Sequence, residues 1–262
     1  MAARALLNEQ ATTIRQLCKP GDPVILTNVY DAATAGVVAS HPSTRAMATA
    51  SFATAAANGV EDNDLRLEDN LIAVREIAAV AKKKGLPLTV DLQDGYDDVA
   101  STIGQAIDAG AVGCNIEDVD NSTGKLRTVD DAVYRIKTAM SAAAANAVPD
   151  FCVNARTDAL AFGGSIQDAI ARGRAYLDAG AVTVFVWGRP GGRGVSTDEV
   201  KELVPELGGM VNMKMNLRPG YLNARELAEL GVARINVGPE LYHKAMAGFK
   251  EALEMVAKKE SF

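Results

Sequence analysis

The chain has 262 residues, 48% hydrophobic and 23% charged, with 27 Lys and Arg against 33 Asp and Glu. A net charge of −6 leaves no basic stripe for nucleic acid, and no apolar run approaches the ~20 residues of a membrane span. High apolar content without a low-complexity tail excludes a disordered chain, and the length suits one large α/β domain with a generous core.

Residues 1–19 carry polar side chains throughout, with no apolar core ahead of a cleavage site, so a signal peptide is not expected. Cys18, Cys114 and Cys152 are widely separated, form no CxxC pair and have no histidine at metal spacing. That usage suits a cytoplasmic protein better than a disulfide scaffold. Runs rich in Val, Ile, Phe and Thr then predict strands at 24–29, 45–50, 88–92, 112–117, 151–155, 182–187, 210–215 and 233–237. Their apolar content is nearly continuous, as in parallel strands buried on both faces. Helical periodicity predicts helices over 67–84, 97–109, 129–145, 166–179, 197–207, 224–230 and 240–259. Gly85, Gly110, Gly180 and Gly231 stand where four of them should stop. Eight β/α units in this length predict a (β/α)8 TIM barrel occupying residues 1–262 as a single domain. The rival, a doubly wound sheet binding a dinucleotide, would need GxGxxG after its first strand, and Tyr30-Asp-Ala-Ala-Thr-Ala-Gly36 is not that.

In a barrel, chemistry sits where strands end. Polar residues gather at those ends: Asn28 to Asp31, Thr49 to Phe52, Asp91 to Tyr96, Asn115 to Asp118, Asn154 to Asp158, then Asn212, Lys214 and Asn216. Asp91, Asp94, Glu117 and Asp118 would crowd negative charge into a small volume, which a hard divalent cation relieves. Oxygen ligands without a His or Cys cluster favour Mg²⁺ or Mn²⁺ over Zn²⁺. The blander role for strand-end acids is helix capping, open to Asp31 and Asp158 in particular. Arg156 offers a fork of donors for a substrate carboxylate, or equally a salt bridge to one of the acids. His41 lies in a Ser-His-Pro loop and His243 in the last helix, so histidine acid–base catalysis is not expected. Cys114 and Cys152 fall inside strands, as inert thiols do. No GxSxG elbow is present, and the 188–194 loop, with Arg189 and Arg193, could cradle an anion or cover the mouth but is no P-loop.

Seven motifs in order resemble the isocitrate lyase/phosphoenolpyruvate mutase superfamily. They are NVYDAATA (28–35), ATASFATAAANGVED (48–62), VDLQDGY (90–96), NIEDVDNSTGKLR (115–127), VNARTDAL (153–160), AGAVTVFV (179–186) and ELGVARINVGPELY (229–242). The resemblance implies a Mg²⁺-dependent barrel enzyme acting on a small 2-oxo or 2-hydroxy carboxylate, breaking or making a bond beside a carbonyl through an enolate-type species. It implies Asp91 as direct metal ligand, with Glu117 and Gln93 acting at the metal through water. It implies Tyr30, Asp62 and Arg156 as catalytic residues, and a substrate pocket of Ala50, Ser51, Phe52, Arg156, Trp187 and Asn212. It also implies oligomers with a swapped terminal helix, so a homotetramer, a dimer of dimers, is expected.

Departures from the family pattern narrow the activity. The loop after the fourth strand, 118–127, lacks the Lys-Lys-Cys-Gly-His of isocitrate and methylisocitrate lyases, so no cysteine acid is available. Trp187 stands where the phosphonate enzymes resemble one another in a histidine. Gln93 replaces the second acid of the third-strand motif. A carbon–carbon lyase, hydrolase or decarboxylase of an oxaloacetate- or malate-like acid is therefore expected. The alternatives are phosphoenolpyruvate mutase-type P–C chemistry and a non-catalytic metabolite-binding barrel.

Overall fold

A computed structural model describes residues 2–188 and 194–257. Eight parallel strands close into a barrel in the order β1, β10, β9, β8, β7, β4, β3, β2. They are β1 (Val24–Val29), β2 (Met47–Thr49), β3 (Leu88–Asp91), β4 (Gly113–Glu117), β7 (Cys152–Thr157), β8 (Thr183–Val186), β9 (Val211–Lys214) and β10 (Arg234–Asn236). Each falls within a residue or two of its expected run, because strands buried on both faces show as unbroken apolar stretches. This is the expected (β/α)8 TIM barrel.

The helices that cover the barrel are α4 (Leu67–Lys83), α5 (Val99–Asp108), α6 (Val129–Ala145), α7 (Ile166–Asp178), α8 (Thr197–Glu206) and α9 (Ala224–Glu229). Gly85, Gly110, Gly180 and Gly231 end four of them with φ between 66° and 106°, the left-handed region in which a side chain is strained. Helix α10 (Glu240–Ala257) starts as expected, while Lys258 and Lys259 lie outside the described residues, as do Arg189 and Arg193 of the 188–194 loop.

Periodicity did not foretell α1 (Ala2–Leu17), α2 (Ala32–Ser40), α3 (Ser51–Ala57) or the hairpin of β5 (Val119–Asp120) and β6 (Lys125–Leu126). Helix α1 buries Ala11, Ile14 and Leu17 along one face and crosses the strands' N-terminal ends. There Asn8 and Thr12 donate to the Asp150 carboxylate at 2.9 and 2.8 Å, and the Cys152 thiol donates to the Ala11 carbonyl at 3.3 Å. The barrel is thus closed below and open above. Among the described residues, no helix is long and apolar enough to cross a membrane.

Candidate active site

Barrel interiors are ordinarily packed with branched apolar side chains. Here alternation along the strands turns pairs of polar residues inward: Thr89 and Asp91 on β3, Asn154 and Arg156 on β7, Asn212 and Lys214 on β9, Arg234 and Asn236 on β10. They enclose a cavity of about 280 Å³ that opens at the strands' C-terminal ends.

Asp91 is held by donors alone. The Ser51 amide donates to Oδ2 at 3.1 Å and the Asn115 side-chain amide to Oδ1 at 3.1 Å. Behind Asn115, Asn154 donates to its oxygen at 2.9 Å, and Thr183 donates to Asn154 at 2.6 Å. This relay across three strands points its dipoles at one carboxylate, and each bond polarises the next. Asn70 fixes the backbone from α4, donating to the Asp91 carbonyl at 2.9 Å. Among the described residues, no cationic side chain forms an ion pair with Asp91.

Asp62 reaches the same cavity from a single 3₁₀ turn, Asp62–Asp64. Burial, and then the negative charge of Asp91, push its carboxyl above the ordinary range. Gln93 supports it: its side-chain amide donates to the Asp62 carbonyl at 2.5 Å and to the carboxylate at 3.2 Å. To do so Gln93 sits at φ 53°, a left-handed conformation uncommon for a residue with a side chain.

Arg156 is shared between two carboxylates. Its Nη1 meets Glu117 at 2.6 Å, and its Nε and Nη2 form a two-pronged pair with Asp158 at 2.8 and 2.7 Å. Burial opposes its charge, but Asp158 and Glu117 outweigh burial and hold the guanidinium protonated. Burial raises the Glu117 carboxyl, with Arg156 opposing and Asp158 adding to the rise. The Arg156 guanidinium carbon lies over the Trp187 ring, 4.5 Å from its centroid, a cation–π contact that fixes the fork.

Of the residues expected at the pocket, Ala50, Ser51, Phe52, Asp62, Asp91, Arg156, Trp187 and Asn212 line this cavity together. Glu117 stands behind Arg156 rather than on the wall. Gln93 faces a neighbouring depression and contacts Asp62 instead of opening onto the cavity. Tyr30 is also displaced from the wall: it is buried behind Ala50 and Ala53, its ring edge-on to Tyr242 at 5.3 Å. Asp31 caps α2 through the Thr34 amide, as the capping alternative had it, whereas the Asp158 carboxylate serves Arg156. Asp94 and Asp118 lie outside the cavity, held by arginines described below.

A family model described as phosphoenolpyruvate phosphomutase matches residues 14–257. The chain belongs to this family. A crystal structure of a protein provisionally assigned as a phosphonomutase, from Burkholderia cenocepacia J2315, is 37% identical, with TM-score 0.84 over 97% of this chain and 99% of that one. The 2-methylisocitrate lyase of Escherichia coli strain K12 is 37% identical over 130 residues, 45% of this chain and 42% of that enzyme. That match spans less than half the relative's length. The 2,3-dimethylmalate lyase of Eubacterium barkeri is 27% identical over 233 residues, 84% of this chain and 77% of that one.

In this phosphomutase-family chain, Lys214 was expected only as a strand-end polar residue, and His243 and Arg234 were not expected at the cavity. Lys214 pairs with Glu240 at 2.8 Å and caps the wall, a link visible only once β9 and α10 are neighbours. His243, set aside because it lies in a helix, lines the rim against Phe52, ring centroids 5.5 Å apart. Its signal was distance: α10 begins four residues after β10 ends, so its first turn overhangs the mouth. Arg234 lay inside an apolar strand run and gave no warning.

Proposed function

We propose that this cavity is the active site of an enzyme that breaks or forms a carbon–carbon bond beside the carbonyl of a small 2-oxo or 2-hydroxy carboxylate. The observation that carries the proposal is charge imbalance at the mouth. Asp62, Asp91, Glu117 and Asp158 gather around one cation, Arg156. Similarity to two lyases, one of them named for a dimethylated malate, points the same way.

Among the described residues, no three His, Cys, Asp or Glu side chains converge as a metal cage. Mg²⁺ does not need one, since it keeps several waters and takes one or two carboxylates plus substrate oxygens. Asp91, donor-held and without a cationic partner, fits the direct ligand, and Glu117 fits a water-mediated one. Bound there, Mg²⁺ would supply Lewis-acid stabilisation of charge on a substrate oxygen. The protein's own groups do the rest. Ala50 offers no side-chain cap to α3, and with the Ser51 amide given to Asp91 the Phe52 and Ala53 amides of the first turn are left to receive a carboxylate. Arg156 keeps N–H groups free of Glu117 and Asp158 for substrate oxygens. Asp62, biased toward protonation by its burial, is placed to take or return a proton at the reacting carbon. Gln93 and Tyr30 act from behind, the first by steadying Asp62 and the second by backing the 50–53 segment.

Asp91→Asn tests the reading, because it keeps the amide contacts in outline and removes the charge. Turnover of oxaloacetate- or malate-like acids should fall at least ~10³-fold, and a chelator should do the same to the parent. Full turnover in chelator would refute the metal. The Burkholderia relative favours a second reading, P–C bond chemistry on a phosphonopyruvate-like acid. Phosphorus NMR of phosphonopyruvate with the protein separates the two.

Helix α10 supports assembly into the homotetramer. Its Phe249, Leu253 and Val256 are 68%, 56% and 59% exposed, an apolar row at helical spacing. Of its described residues only Glu240 is buried. Light scattering should give a mass near four chains, and Phe249→Glu with Leu253→Glu should lower it. A parent that scatters as one chain excludes the assembly.

A further inference from the structure

The floor of the cavity differs from its mouth. Two residues before Asp91, Lys214 and Asn236 on their strands, and facing the same way, stand Thr89, Asn212 and Arg234. All three are buried, at 1%, 0% and 2% exposure. Arg234 donates through Nε to the Asn236 side-chain oxygen at 2.9 Å, and among the described residues no carboxylate pairs with it. Below it lie Cys18, Cys114 and Cys152, whose thiols burial keeps protonated, and Asp91 favours its charge only from beyond ion-pair reach, so no anion in contact balances it. Both polar atoms of the Asn212 side chain, and the Thr89 hydroxyl, have no partner. Buried polar groups are ordinarily satisfied, and an unpaired buried charge is among the costliest features a fold can carry.

We propose that Arg234, Asn212 and Thr89 form an anion subsite that receives the second carboxylate of a short dicarboxylic acid. The acid's 2-oxo or 2-hydroxy end then lies at Asp91. The second half of this statement rests on the function proposed above; the subsite itself does not. Water could satisfy Asn212 and Thr89, but only an anion balances the guanidinium. A carboxylate matches the fork of Nη donors, and the Asn212 amide and Thr89 hydroxyl add donors from β9 and β3. A space of about 280 Å³ admits an acid of this size. The cavity is acidic above and basic below, so a dicarboxylate can enter in one sense only: the end that shares a cation with Asp91 stays at the mouth.

Succinate in the presence of a chelator removes the metal's contribution at the mouth, having no 2-oxo or 2-hydroxy group, so the part of its binding that Arg234→Met removes reports the floor. Pyruvate with Mg²⁺ probes the mouth alone. Succinate should raise the melting temperature of the parent protein and bind measurably by calorimetry. Arg234→Met should weaken succinate at least ~10-fold, the scale of a lost charge-assisted hydrogen bond, and leave pyruvate within about twofold. The ligand-free variant should melt no lower than the parent, because a buried unpaired charge has been removed. Asn212→Asp is the second variant. It supplies a carboxylate to Arg234 from within, and should abolish the succinate effect while raising the ligand-free melting temperature. A parent blind to succinate, or variants that bind it like the parent, would overturn the subsite. Loss of Mg²⁺-dependent pyruvate binding with succinate binding intact counts against the mouth and leaves the floor standing.

Discussion

Two pairs of acids, nearly adjacent in sequence, have opposite fates. Asp91 and Asp94 close the third barrel strand, and Glu117 and Asp118 the fourth. Asp94 is met by Arg127 at 2.9 Å and by the Tyr96 amide at 3.1 Å. Asp118 receives Arg172 at 3.0 Å, the Tyr176 hydroxyl at 2.6 Å and the Asp158 amide at 2.8 Å. Each is buried against a guanidinium and turned outward toward the helices, Asp118 against Arg172 and Asp94 against Arg127, which also meets Asp131 at 3.0 Å and Asp120 at 3.6 Å nearer the surface. Asp91 and Glu117 point the other way, into the interior, where Asp62, Asp91, Glu117 and Asp158 gather at the mouth around Arg156 and the other arginine, Arg234, lies on the floor. The same residue type is mortar on one side of the strand and reagent on the other. What separates them is whether the protein itself completes the charge balance.

Breaking the balanced side should cost stability and little chemistry. Asp118→Asn leaves Arg172 buried without its counter-charge while keeping the side chain's shape. Removing one partner of a buried pair destabilises by about 3 kcal/mol, which lowers the melting temperature of a domain this size by roughly 10 °C. Turnover at a temperature where the variant is folded should stay within a few-fold of the parent. The contrast with Asp91→Asn is then complete: there turnover collapses and melting barely moves. An Asp118 variant that melts like the parent but has lost turnover would erase the distinction between the two sides.

How much of this was legible depended on burial. The eight strands and the barrel could be read because parallel strands enclosed on both faces are apolar without interruption. The strand-end rule located Asp91 and Arg156 for the same reason, since polarity begins where enclosure ends, whereas Trp187 came only with the family resemblance. Asp94 and Asp118 could not be told from Asp91 and Glu117, because alternation decides which way a side chain points and a turn can shift it. Helix α2, rich in Ala and Val, has no polar face to betray a period, and the buried face of α1 is only three residues, Ala11, Ile14 and Leu17, in a largely polar segment. Arg234 was illegible for the opposite reason to Asp91. It sits within a strand, where the rule looks for core, and its meaning comes only from the neighbours it lacks.

Gln93 gives the smallest effect and the sharpest edge to the comparison. By motif it belongs beside the metal; by contact it belongs to Asp62. Both its donor bonds go there, at 2.5 and 3.2 Å, and an aspartate in its place would set a like charge against Asp62 rather than a donor. Gln93→Met keeps the length of the side chain and the same left-handed backbone cost, and deletes only the amide. If Gln93 serves Asp62, turnover should fall about tenfold, the ~1.4 kcal/mol expected of one hydrogen bond to a carboxylate. Mg²⁺ affinity, read by calorimetry on the substrate-free protein, should stay within about twofold of the parent. The limb of the pH–rate profile that reports Asp62 should move to higher pH, because a donor that favours its ionised form is gone. A tenfold loss of Mg²⁺ affinity with an unmoved profile would return Gln93 to the shell of the ion, and the family motif would be the better guide than the contact.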